Sequence, residues 1–120
     1  MHLWHDANVI TMTTDEFEDL VDRALEDIPE QLRSGMDNVM IQVDDTSPPG
    51  PLFGLYQGVP LTSRGHYAGA MPDRITIFKQ TICNAFHTEE EVERQVRKTV
   101  IHEVGHHFGI GDARLRELGW

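Results

Sequence analysis

Between Thr88 and Asp112 the chain can do little other than form one long amphipathic helix with an abrupt end. Thr88 and Glu91 have the spacing of a capping box. Val92, Val96, Val100, Val104 and Phe108 then recur every four residues, with Ile101 beside them. That period lays one apolar stripe along a helix, and the stripe must be buried against something else. Gly109 and Gly111 stop the helix. Any fold for this chain has to supply an apolar layer under this helix and an exit for the residues after Gly109.

The end of the helix reads His102-Glu103-Val104-Gly105-His106-His107-Phe108-Gly109-Ile110-Gly111-Asp112. Residues four apart share a helix face, with Cβ atoms about 5–6 Å apart. Two imidazoles so placed can converge on one zinc ion at about 2.0–2.1 Å. Glu103 sits about 100° round the helix from His102, too far to share the ion but able to reach a water beside it. A third ligand is needed for a catalytic zinc site, and Asp112 is the candidate. It follows His106 by six residues, and Gly109 between them can take positive φ and fold the chain back. With seven His and ten Glu in 120 residues, chance produces H-E-x-x-H about 3 times in 100 such chains. Requiring Gly109 and Asp112 as well lowers this to about 2 in 10,000.

Each of these residues has a plainer reading. His102 and His106 could be partly buried, hydrogen-bonded helix histidines. Asp112 could be a turn residue bonded to its own backbone. His107 points about 100° away from His106, which places it behind the metal site or at the surface rather than on the ion. His2, His5, His66 and His87 stand alone and read as surface histidines, Cys83 as a small buried apolar residue, and Met36, Met40 and Met71 as core or loop filler.

The remaining segments fix the fold class. Residues 13 to 29 predict a helix, with Thr13 and Glu16 as a capping box, Phe17, Leu20, Val21, Ala24, Leu25 and Ile28 as its apolar stripe, and Pro29 at its end. Its other faces are crowded with acids, which read as a solvated surface or as a dock for a basic partner. Residues 39 to 43 predict a buried strand, and residues 52 to 61 a strand broken by Gly54, Gly58 and Pro60. Residues 62 to 73 lack periodicity. Residues 74 to 82 alternate and predict a third strand. The order helix, strand, strand, strand, helix predicts an α+β fold with one small sheet, residues 1–120 forming a single domain.

Ten basic against twenty acidic residues give a formal net charge of −10. That argues against nucleic acid, which requires a basic patch, and against anionic membrane surfaces. No apolar run approaches the ~20 residues of a membrane span. The opening MHLWHDANVI lacks the basic and apolar regions of a secretory signal. Cys83 is the only cysteine, so no internal disulfide can form. The expected setting is cytoplasmic.

By its metal-site motif the chain resembles the zincin metallopeptidases, with Asp where metzincins carry a third His. The segments Gly54–Leu61, Met71–Phe78 and Thr99–Gly109 resemble the small bacterial family of minimal zincin-like metallopeptidases. The resemblance covers most of residues 38 to 119. It implies a compact zincin-like fold: a small mixed sheet, a backing helix and a long active-site helix. It further implies that His102, His106 and Asp112 bind one Zn2+ and that Glu103 is the general base and acid, activating a zinc-bound water against peptide bonds. The implied partner is a peptide or protein substrate. Only eight residues follow Asp112 in this sequence, and none is Met, so the methionine turn and C-terminal wall of larger zincins are not expected in it. An open, shallow cleft follows as an expectation. Arg64, His66, Tyr67 and Arg114 are candidates to steady the oxyanion. The alternative to a peptidase is a non-catalytic module, pinned by zinc and docking a partner through its acidic helix.

Overall fold

The computed structural model describes residues 10–46, 52–58 and 72–120. Its elements are α1 (Thr14–Glu26), α2 (Glu30–Arg33), β1 (Val39–Asp44), β2 (Gly54–Gln57), β3 (Asp73–Phe78), α3 (Lys79–Ala85), α4 (Glu89–His107) and α5 (Asp112–Leu118). The fold is α+β. A three-stranded sheet runs in the order β1-β3-β2. β1 pairs parallel with β3, and β2 pairs antiparallel with it. The sheet is therefore mixed, with β2 on the edge beside α4.

Both long helices begin where their capping boxes lie. The Thr13 hydroxyl accepts from the Glu16 N–H, and the Glu16 carboxylate accepts from the Thr13 N–H. Thr88 and Glu91 repeat the arrangement at the start of α4. The apolar stripes then meet. Phe17, Leu20, Val21 and Ala24 of α1 join Val92, Val96, Val100 and Val104 of α4 in one core with Ile75 and Ile77 of β3. The ion pairs Arg23–Glu93 at 3.3 Å and Arg97–Asp27 at 3.1 Å tie the outer faces of these helices. All four side chains are well exposed, so each pair contributes little, about 0–1 kcal/mol. The Thr88 cap is worth more. Thr88→Ala should cost about 1 kcal/mol, read as a lowered denaturant midpoint with an unchanged slope.

Four expectations are corrected. The first helix ends at Glu26, not residue 29. Pro29 disfavours helical backbone in the residue before it, so Asp27 and Ile28 donate three residues back, to Ala24 and Leu25, instead of four, and Pro29 caps α2. The strand expected over residues 74 to 82 stops at Phe78 and turns into α3. Lys79 cannot enter the core as Ile75 and Ile77 do. Its ammonium instead donates to the Met12 carbonyl at 3.0 Å and faces the Asp45 carboxylate at 3.7 Å. A helical turn then carries Ile82 and Cys83 inside. The residues after Gly109 form a further helix, α5, that the expected order of elements lacked; it is capped by Gly111, so Gly111 begins a helix instead of ending one. The strand expected over residues 52 to 61 is shortened to β2, and residues 59–61 lie outside the described ones, as do His2, His5, His66 and Met71. Among the described residues, no helix is long and apolar enough to cross a membrane.

Candidate metal centre

The geometry begins with how α4 ends. Gly109 takes φ +81°, which a side chain would make strained. Its N–H donates to the His106 carbonyl, and the Ile110 N–H donates to the Gly105 carbonyl, the paired bonds of a Schellman motif. The chain thereby doubles back, and Gly111 starts α5 with Asp112 as its first residue. Gly105 makes the return possible. A Cβ there would strike Leu115 Cδ2, and Leu115 is the one residue of α5 that is fully buried.

This folding brings His102, His106 and Asp112 together. Asp112 Oδ1 lies 3.1 Å from Nε2 of His102 and 3.1 Å from Nε2 of His106. Ligand atoms of the three residues all lie within 4.8 Å of one another. The edge of a tetrahedron of zinc ligands is about 3.3 Å, from bonds of 2.0–2.1 Å. His106 Nδ1 lies 3.1 Å from the Ile110 carbonyl. A carbonyl only accepts, so Nδ1 carries the hydrogen, and neutral His106 presents a bare electron pair at Nε2. That pair faces a carboxylate oxygen, another electron-pair donor. Either a proton or a metal cation can sit between such groups, and a borderline divalent ion fits two imidazoles and one carboxylate.

Glu103 lies outside this trio, as its position on the helix predicts. It is buried at 8 % exposure and reaches toward β2, where the Tyr56 backbone N–H bonds it. Gly54 permits the approach: a Cβ there would lie 2.6 Å from Thr99 Cγ2 and 3.1 Å from Glu103 Cγ. Burial pushes the Glu103 carboxyl above its ordinary range. His106 opposes this, Asp112 adds to it, and the Tyr56 N–H opposes it. A raised acid stabilises the fold below its unfolded pKa, and that contribution is lost as pH rises through the folded value. In chelated protein, Glu103→Gln should therefore gain stability relative to the unaltered chain as pH rises from acid toward neutral. Melting temperatures across that range check the sign, and a flat difference would show that burial does not act on this carboxyl.

The trio and Glu103 line a groove of about 560 Å³, with Leu52, Gly54 and Leu55 on one side and Ile110 on the other. Arg114 does not join it. It is exposed and pairs with Glu117 at 3.1 Å. Arg64, His66 and Tyr67 lie outside the described residues. His87 is exposed and Cys83 buried, as expected, while Met40 is exposed at 45 %.

His107 is neither at the surface nor idle. It is 2 % exposed. Nδ1 lies 2.7 Å from Asp73 Oδ2, and Nε2 lies 2.9 Å from the Gly35 carbonyl. Both ring nitrogens are committed, so His107 does not serve as a further ligand. Asp73 is also 2 % exposed and accepts the Tyr56 hydroxyl at 2.6 Å. Sequence reasoning assigned no role to Asp73 or Tyr56. The only signal was a pair of polar residues bounding apolar strands.

A family model described as zincin-like metallopeptidase matches residues 36–120. Among solved structures, the chain is similar to a conserved hypothetical protein from Thermo thermophilus. The two share 23 % identity and a TM-score of 0.58, over 81 % of this chain and 94 % of that one. A comparison with curated proteins finds no match.

Proposed function

The chain belongs to the zincin-like metallopeptidase family, and from that premise we propose that it hydrolyses peptide bonds, with His102, His106 and Asp112 holding one Zn2+ and Glu103 moving the proton. The observation that carries this reading is the convergence of one ring nitrogen from each of His102 and His106 on a single Asp112 carboxylate oxygen, each at 3.1 Å. Zinc held there supplies Lewis-acid chemistry, acidifying water and polarising a carbonyl.

The chain's own residues supply the rest. Glu103 borders the groove without joining the three ligands, so its carboxylate accepts a proton from the attacking water and passes it to the departing amine. Its buried, proton-favouring setting suits both transfers. His106 is held in one tautomer by the Ile110 carbonyl. An extended substrate lies along the edge strand β2. The Phe78 N–H donates to the Phe53 carbonyl at 3.0 Å. By antiparallel alternation Gly54 then turns its backbone groups away from β3, toward the groove.

Among the described residues the ligand group has three members, as an open catalytic site needs and a closed structural site does not. Metal analysis together with a peptide-library cleavage screen tests the proposal. One zinc per chain, with cleavage lost to a chelator and restored by zinc, is the expected result. A zinc-loaded chain that cleaves nothing would favour the non-catalytic module with an acidic docking helix. Because the ion competes with protons for the imidazoles and the carboxylate, zinc affinity should fall steadily as pH is lowered, measured by competition with a chromophoric chelator.

A further inference from the structure

Glu103 hangs from a weak element. Its carboxylate takes the backbone N–H of Tyr56, and Tyr56 lies on a four-residue strand at the edge of the sheet. Short edge strands are the first part of a sheet to open. Something must keep this one in register against α4.

The buried polar cluster does so by closing a ring. The Tyr56 hydroxyl donates to Asp73 Oδ2 at 2.6 Å, and the same oxygen lies 2.7 Å from His107 Nδ1. His107 is on α4, four residues beyond Glu103, so the path from Glu103 through Tyr56, Asp73 and His107 returns to the helix it left. It passes through β2 and β3 on the way. His107 Nε2 donates to the Gly35 carbonyl at 2.9 Å, adding the segment before β1. Glycines clear the space. A Cβ on Gly58 would strike the Asp73 carboxylate, and one on Gly35 would lie 2.6 Å from the Phe108 ring. The His107 and Asp73 side chains are only 2 % exposed, which makes each hydrogen bond costly to leave unmade.

We propose that the buried Asp73–His107–Tyr56 cluster is a positioning device for Glu103: it fixes the edge strand so that the Tyr56 backbone N–H holds the Glu103 carboxylate beside the metal-binding trio. The proposal rests on Glu103 being the proton-moving group. Tyr56, Asp73 and His107 are positioning residues that act through a backbone amide and are not members of the metal-binding trio.

The test uses the full chain carrying Tyr56→Phe, which removes one hydroxyl, or Asp73→Asn, which keeps the size of the side chain. Amide NMR on the metal-free protein gives the first readout, with Glu103→Ala as the reference for a broken amide–carboxylate bond. In both cluster variants the residue-56 amide should move toward its position in Glu103→Ala and exchange with solvent at least about tenfold faster. Steady-state kinetics on the peptide best cleaved by the unaltered chain gives the second. There kcat should fall about 10- to 100-fold, with KM and zinc affinity unchanged. A folded variant whose residue-56 amide stays in place, or whose amide moves while kcat holds, overturns the proposal. So does an unmoved Tyr56 amide in Glu103→Ala itself, which decides the matter even if neither cluster variant folds. Absence of turnover by the unaltered, zinc-loaded chain overturns the peptidase reading instead, and the amide measurements still decide whether the cluster holds Glu103.

Discussion

Glu103→Gln should lower peptide turnover about 10²- to 10⁴-fold, the range for removing a general base, while zinc binding stays near that of the unaltered chain. The amide keeps the size of the carboxyl, and its oxygen can still accept the Tyr56 N–H, so the groove should keep its shape. What is lost is the capacity to take and return a proton. His102→Ala and His106→Ala should behave differently, losing both zinc and turnover, because each removes one of the converging ring nitrogens. Asp112→Asn separates ligand from turn residue. Asparagine can still sit at the start of α5 but brings no charge, so a ligand role predicts weaker zinc binding and a turn role predicts none of that. The measurements are zinc per chain after dialysis and cleavage of a peptide library read by mass spectrometry. Undiminished cleavage by Glu103→Gln would end the proposed mechanism.

What was legible in the sequence was local. The two capping boxes, the four-residue spacing of valines, the pairing of His102 with His106 and the exit at Gly109 all lie within a few turns of one helix, where spacing dictates direction in space. The approach of Asp112 to the two imidazoles was legible for the same reason, since only a positive-φ turn separates it from α4. The change from β3 to α3 was present but overridden. Ile75 and Ile77 alternate, and continuing that alternation puts Lys79 among them, a charge on the buried side. Phe78, Ile82, Cys83 and Phe86 instead follow a helical period. α5 has a single buried anchor, Leu115, and a glycine cap with no side chain, too little pattern to read. The Asp73–His107–Tyr56 cluster was not legible at all. Its members come from two strands and a helix, and no spacing rule relates residues 56, 73 and 107.

Gly105→Val should cost about 1–3 kcal/mol, the range for overpacking a closed core, and should weaken zinc binding although residue 105 holds no ligand atom. The added Cβ would fall on Leu115 Cδ2, and Leu115 is fully buried. Valine has higher helix propensity than glycine, by a few tenths of a kcal/mol, so steric conflict outweighs the backbone gain. Leu115 is closely packed at 0 % exposure, so its side chain has little room to turn and the strain is expected to lift α5 away from α4. Asp112 opens α5, so lifting it carries Oδ1 out of reach of the two imidazoles. The prediction has a built-in control. Leu115→Ala alone should destabilise by about 2–5 kcal/mol by leaving a cavity. Combined with Gly105→Val, the cavity receives the valine, so the double variant should be less destabilised than the two losses added together and should recover zinc affinity. Strictly additive losses, or zinc affinity unmoved by Gly105→Val, would mean that the bare face of α4 at residue 105 does not set where Asp112 stands.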